Sequence, residues 1–188
     1  MKVQIACTSD ELEAVGRLRY AVYVEELGKT LAFADHLRRQ VRDVHDADAL
    51  HLFVAAGGEM VGCVRIHANA VPQVLADPLE LWRFHCETSR DFALVSKLII
   101  HPAHRHTTVF GRLLRAVHKL AINSGVRTLF CTTFPHLVPM YCRMGFRNYR
   151  EMHLDPDFGP HYALAGSVGD SSKRLFRDSK RSLEYADH

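Results

Sequence analysis

The run Asp91-Phe-Ala-Leu-Val-Ser-Lys-Leu-Ile-Ile100 is apolar and β-prone, and Pro102 stops it almost at once. Proline has no N–H to give a ladder, so no strand continues through it. The pattern then changes period: Val109, Leu113, Val117 and Leu120 recur on one helical face, with Phe110, Leu114 and Ala121 beside them, until Gly125. A buried strand, a short loop and an amphipathic helix must therefore follow one another here, as in a sheet covered by helices. The loop between them holds Arg105. The first amides of the helix have no intrahelical acceptor, so with the helix dipole and the Arg105 charge they suit an anion such as a phosphate. Each favourable charge near a helix start is worth about 0.3–1 kcal/mol, so several groups must act together. An ordinary connection capped by Thr107 or Thr108 is the other reading of the same residues.

Around this segment the chain reads as alternating elements. Val3 to Ala6 is a short strand, and Thr8 with Glu11 has capping-box spacing ahead of a helix carrying Leu12, Val15, Leu18 and Val22 and ending at Gly28. Thr30 to Val41 is predicted as a second, shorter helix. His51–Ala56 and Met60–His67 form a hairpin across Gly57-Gly58-Glu59, and Gly62 marks a bulge or a close backbone approach. Asn69 to Arg90 reads as a long loop with one helical turn at Leu79–Phe84, and a loop of that length is more often functional than idle. Thr128–Thr133 is a strand, His136–Met144 a short helix ending at Gly145, Phe146–Leu154 a strand, and His161–Ala165 a last strand before a basic tail. The order is β-α-α-β-β-β-α-β-α-β-β.

A chain of 188 residues, 47% apolar and 24% charged, suits one globular domain. Five cysteines, at 7, 63, 86, 131 and 142, form no Cys-x-x-Cys pair, which argues against a disulfide framework or a zinc ribbon. His101, His104 and His106 match no common zinc spacing, so no metal is expected. No apolar run is long enough to span a bilayer and Met1–Ser9 is not a signal peptide, so the expected compartment is the cytoplasm. The net charge of +3 does not point to nucleic acid. Basic clusters stand at Arg38-Arg39-Arg42, at Arg112-Arg115-Lys119 and from Lys173 to Arg181, and each taken alone reads as a solvated face.

A second motif gives the strand–loop–helix segment its meaning. Pro135-His-Leu-Val-Pro-Met-Tyr-Cys-Arg-Met-Gly-Phe146 places Tyr141 on a short helix with Gly-Phe opening the next strand. Together the two segments resemble the GNAT superfamily of N-acyltransferases. The resemblance implies an α/β (α+β) fold with a mixed, mostly antiparallel sheet splayed between two strands and helices on both faces. It implies that the pantetheine arm of an acyl thioester pairs with backbone of Leu98, Ile99 and Ile100, where an N–H stabilises the oxyanion. Arg105, His106, Thr107, Thr108, Val109 and Phe110 would hold its phosphate, and Tyr141 would protonate the departing thiolate. Nothing in the residues themselves separates this role of Tyr141 from that of a tyrosine at the edge of the core.

A narrower resemblance covers most of the chain. Arg19-Tyr-Ala-Val-Tyr-Val-Glu-Glu-Leu-Gly28, Asp46 and Asp48, Gly58-Glu-Met-Val-Gly-Cys-Val-Arg65, Leu137-Val-Pro-Met-Tyr141 and Asp155-Pro-Asp-Phe-Gly159 are similar to the N-acyl amino acid synthases. These are relatives of the acyl-homoserine-lactone synthases. The implied reaction moves a long acyl chain from acyl-carrier protein or acyl-CoA to the amine of an amino acid or similar small acceptor. Its co-substrate is a phosphopantetheine thioester, with no tightly bound cofactor. Arg19, Tyr23, Asp46 and Arg65 would line the acceptor side, Arg65 gripping a carboxylate; Arg19 and Asp46 fit a structural ion pair equally well.

The sequence also departs from these families. Bulky His106, Thr108 and Phe110 replace the small residues of the usual loop, which crowds a diphosphate and fits the single phosphodiester of a carrier protein better. Arg112, Arg115 and Lys119 could dock such an acidic carrier. Leu94-Val-Ser-Lys97 replaces the Glu-x-Ser-Arg of the related synthases. The general base is left among Glu25, Glu26, Asp46, His85, Glu87 and a water relay. A short-chain acetyltransferase and a degenerate thioester-binding module are the alternatives. The acyltransferase domain is expected over residues 1–166, with a basic tail over 167–188.

Overall fold

The structure, a computed structural model, describes residues 1–68, 71–84 and 91–169. The chain divides into two compact units, one formed by residues 1–66 and 97–117, the other by the described residues of 67–96 and 118–182.

In the first unit, strand β1 (Val3–Ile5) leads into helix α1 (Ser9–Tyr20). Thr8 accepts the Glu11 amide at 3.2 Å, and the Glu11 carboxylate accepts the amides of Cys7 and Thr8, so orphan donors at the helix start are satisfied. After Tyr20 the helix widens into a π-helical stretch, Ala21–Glu26, which ends at Gly28 with φ of 62°. The stretch predicted as a helix over Thr30–Val41 is instead a hairpin of β2 (Ala34–Asp35) and β3 (Gln40–Val41). The Asp35 carboxylate captures the Arg38 amide at 2.8 Å, and Arg39 takes a positive φ of 52°, both of which break a helix. Leu31 and Val41 are buried while Leu37, on the supposed apolar face, is 96% exposed.

Strands β4 (Leu50–Ala56) and β5 (Glu59–Ala68) form the expected hairpin, with Gly57 and Gly58 both at positive φ. β1 pairs antiparallel with β4, and β5 neighbours β6 (Phe92–Ile100), whose residues 97–100 belong to this unit. A register shift in the β4–β5 ladder lies beside Gly62. There a Cβ would stand 2.6 Å from Val109 Cγ1 and 3.2 Å from Leu113 Cδ1. The first turns of helix α3 (Val109–Asn123) therefore rest on strand backbone through a glycine gap.

In the second unit the first half of β6 runs parallel to β7 (Thr128–Thr133), from Phe92↔Thr128 to Val95↔Cys131, where this ladder ends. β7 pairs antiparallel with β10 (Gly159–Ser167). The strand expected over Phe146–Leu154 is two short pieces, β8 (Arg147–Asn148) and β9 (His153–Asp155), each paired with β10. The chain leaves the ladder between them because Tyr149 turns inward, its hydroxyl donating to the Leu79 carbonyl at 2.8 Å and its ring meeting Phe130 and Phe84 edge-on.

The expected loop of residues 69–90 contributes short helix α2 (Gln73–Ala76) and a 3₁₀ turn, Leu81–Phe84. Leu79 and Leu81 enter a core with Leu94, Phe130 and Ala163, whereas Trp82 is exposed. Residues 69–70, 85–90 and 170–188 lie outside the described residues, and with them His85, Cys86, Glu87 and the basic cluster from Lys173 to Arg181. Helix α4 (Val138–Arg143) follows a 3₁₀ turn and gives way to Gly145 at φ of 96°.

Candidate functional site: a buried ionic cluster and an arginine loop

In the first unit six elements deliver ionisable side chains to one buried place. Arg19 comes from the last turn of α1, Tyr23 from the π-helical stretch, and Asp46 from a 3₁₀ turn at Val44–Asp46 whose N-cap is Asp43. His51 comes from β4, Cys63 and Arg65 from β5, and Lys97 from β6. Arg19 is fully buried and donates to Asp46 at 2.8 Å and to His51 Nδ1 at 3.1 Å. Because His51 Nδ1 accepts, its proton sits on Nε2, which donates to the Asp46 carbonyl at 3.1 Å. Arg65 donates to Asp43 at 2.7 Å and to Asp46 at 3.1 Å, and Lys97 Nζ stands 2.7 Å from Asp43.

The charges of the cluster are set by these contacts. Burial pushes the Asp46 carboxyl up, but Arg19, the Asp43 amide and Arg65 outweigh it and hold it well below the usual carboxylate range. Asp43 is likewise lowered, against burial, by Lys97 and Arg65. Burial lowers His51 and keeps it neutral, and it raises Tyr23 and Cys63, which stay protonated. Lys97 is lowered by burial and by Arg19 and Arg65, with Asp43 opposing. Among the described residues Arg19, Arg65 and Lys97 thus stand around Asp43 and Asp46.

Lys97 also has a left-handed backbone, with φ of 51° inside β6. A left-handed lysine in a strand is strained by roughly 1–3 kcal/mol and persists only where its surroundings fix it. Here the Asp43 contact and the Phe33 ring, 4.9 Å from Nζ, do so. Leu98, Ile99 and Ile100 follow directly, and the His101 amide then donates to the Val61 carbonyl at 2.9 Å.

The loop from Pro102 to Thr108 opens with a 3₁₀ turn. Thr107 donates to the His104 carbonyl at 2.6 Å and accepts, more loosely, from the Val109 amide at 3.4 Å. Arg105 does not stand open: its guanidinium grips Glu26 through two contacts of 2.6 Å, and its Nε donates to the Ile100 carbonyl at 3.3 Å. Of the loop's bulky residues, His106 and Thr108 are exposed and Phe110 is half-buried.

In the second unit Tyr141 is buried on α4, edge-on to Phe146 at 5.6 Å. Leu94 lies in the apolar core of that unit.

Residues 14–166 match the sequence profile of the family described as N-acyl amino acid synthase FeeM. The chain belongs to that family. FeeM-family membership makes it an acyltransferase that moves an acyl group from a thioester to an amine. A similar relative is the L-ornithine N(alpha)-acyltransferase of Rhodobacter capsulatus, 25% identical in an alignment 182 residues long, with 81% of this chain and 70% of that one covered. The fold is that of GNAT-type acyltransferases. It matches FeeM from uncultured soil microbes with a TM-score of 0.69 at 18% identity, over 93% of this chain and 99% of that one. It also matches BjaI, a coenzyme-A-dependent acyl-homoserine lactone synthase solved with SAM and isopentyl-CoA, with a TM-score of 0.72 at 18% identity, over 89% and 82% of the two chains.

Within this FeeM-family chain the structure brings Arg19, Tyr23, Asp46 and Arg65 together. It leaves Asp48 exposed and puts Asp43 in the cluster instead. Asp43, His51 and Lys97 are members of the cluster that sequence patterns do not reveal. A lysine in the middle of an apolar strand is the available signal, since a charge there must find a buried partner. Among the proposed bases, Glu25 is paired with Arg39, Glu26 with Arg105, and Asp46 with two arginines. Among the described residues no group of three or more His, Cys, Asp or Glu is placed to hold a metal, and no helix is long and apolar enough to cross a membrane.

Proposed function

We propose that this chain acylates the amine of an amino acid or a similar small, anionic acceptor with a long acyl chain carried on phosphopantetheine. The donor is an acyl-carrier protein or acyl-CoA, the acting domain spans residues 1–166, and the compartment is the cytoplasm. The supporting observation is the buried cluster that gathers Arg19, Arg65 and Lys97 around Asp43 and Asp46. An acceptor bringing its own carboxylate is attracted by the basic side chains gathered there, whereas a plain amine is not.

In this reading backbone of Leu98 to Ile100 pairs with the pantetheine arm, and an N–H there takes the oxyanion. Arg105 and the α3 amides, from Thr107 to Phe110, take the phosphate. The neutral amine attacks the thioester carbonyl, the C–S bond breaks, and Tyr141 gives its proton to the sulfur. The nitrogen's proton leaves through water, because the carboxylates nearest in sequence are already paired. Leu94 fits this: a glutamate in its place would lie buried among apolar side chains, so the acceptor is held without it.

The test is product analysis by mass spectrometry after incubation with acyl-carrier-protein and coenzyme A thioesters of graded length and a panel of amino acids. An N-acyl amino acid formed best from long donors is expected. Tyr141→Phe should lower kcat by roughly 100-fold with little change in KM. Acetylation of simple amines alone would return the acetyltransferase reading, and thioester binding without turnover would return the binding module.

A further inference from the structure

We infer that Glu26 selects the donor: its carboxylate occupies the Arg105 guanidinium as an internal stand-in for phosphate and selects against highly charged donors. This rests on the proposed phosphate loop and deepens it. Arg105 Nη1 and Nη2 lie 2.6 Å from the two Glu26 oxygens, a parallel fork-to-fork contact, and Nε is spent on the Ile100 carbonyl. The side chains of Arg105 and Glu26 are 41% and 29% exposed, so an incoming ligand can reach the pair. The π-helical stretch is what aims Glu26 this way, while its neighbour Glu25 is held by Arg39.

A phosphate arriving at this loop must displace Glu26 from Arg105 or share the guanidinium beside it. Either way it meets a carboxylate whose repulsion grows with the charge of the ligand. Coenzyme A brings a diphosphate and a ribose phosphate; a carrier-borne arm brings one phosphodiester. The same loop replaces small residues by His106, Thr108 and Phe110, which restricts a diphosphate by size. Charge and bulk therefore act in the same direction, toward a carrier-borne thioester, and specificity is built from repulsion as well as attraction.

Calorimetric titration with coenzyme A, phosphopantetheine and uncharged pantetheine tests this on the full chain. Glu26→Gln should tighten coenzyme A binding by roughly five- to tenfold, tighten phosphopantetheine less, and leave pantetheine unchanged; the gain should shrink in high salt. Arg105→Gln should weaken both phosphorylated ligands, and adding Glu26→Gln to it should change nothing, because Glu26 acts through Arg105. Melting temperatures check folding, with Glu26→Ala as the second variant should Glu26→Gln fold poorly. If Arg105→Gln weakens coenzyme A but neither Glu26 variant tightens it, the selector role is overturned and the phosphate loop stands. If Arg105→Gln leaves coenzyme A binding as tight as in the parent, the phosphate loop itself is wrong and the selector role falls with it.

Discussion

Asp46 receives Arg19 on one carboxylate oxygen and Arg65 on the other, at 2.8 and 3.1 Å, and accepts the Asp43 amide as well. With Arg19 fully buried, no water can take over if that carboxylate is lost. Removing one partner from a buried pair costs far more than the pair itself contributes, because the remaining charge is stranded. Asp46→Asn should therefore destabilise the protein by about 3–5 kcal/mol. Urea unfolding measures it, with exposed Asp48→Asn as a control that should change little. Equal, small effects of the two substitutions would show that the cluster is not holding the unit together. Arg65 is bound into the same contacts, so in the proposed reading an acceptor carboxylate would join a paired arginine, not an open one. This is why sequence patterns alone leave Arg19 and Asp46 balanced between structure and substrate: the ion pair is there, among the residues proposed to face the acceptor.

Gly62 sets how closely α3 lies on β5. A methyl group there meets Val109 Cγ1 at 2.6 Å, closer than carbon atoms tolerate, and Leu113 stands behind it. Gly62→Ala should cost about 1–3 kcal/mol by overpacking, lower the melting temperature, and raise KM for the donor by moving the start of α3. Val109→Ala on that background should restore part of both, and a melting temperature unmoved by Gly62→Ala would rule the contact out. The sequence signals this element well, because a glycine inside an apolar strand forgoes a side chain that the strand would otherwise bury. Elements fixed by local chemistry are equally legible: the Thr8–Glu11 cap, the Gly57–Gly58 turn, the stop at Pro102, and β7 to the residue. What fails is periodicity without a cap. Leu31, Ala34, Leu37 and Val41 have helical spacing, yet Asp35 and Arg39 turn the chain into a hairpin. The π-helical widening after Tyr20 leaves no mark in spacing at all, and it decides where Tyr23 and Glu26 point. The break between β8 and β9 depends on where the Tyr149 hydroxyl finds its acceptor, a contact 70 residues away in the chain.

Each unit of the molecule carries a buried imidazole kept neutral. In the first, His51 is lowered by burial and by Arg19 and Arg65, against the pull of Asp46. In the second, His118 is lowered by burial, and neither ring nitrogen has a partner among the described residues. His153, also lowered by burial, is held down further by Arg150 and His161. All three resist a proton in the folded chain that they would take at about pH 6.5 when unfolded. The unfolded state then binds more protons, so stability is full above that pH and falls as pH drops toward the folded values. The slope cannot exceed about 1.4 kcal/mol per pH unit for a buried site, and the half-exposed His153 adds less. Asp43 and Asp46 have the same sign but act lower, losing their contribution only as pH falls below the ordinary carboxylate range. Denaturant unfolding at pH 7.5, 6 and 5 should show stability declining across the whole series, well before the carboxylates titrate. His118→Leu fills the same buried place with no group to charge, so its stability relative to the parent should rise as pH falls. Stability flat from pH 7.5 to 5, or a His118→Leu difference independent of pH, would mean that these imidazoles take up protons as freely folded as unfolded.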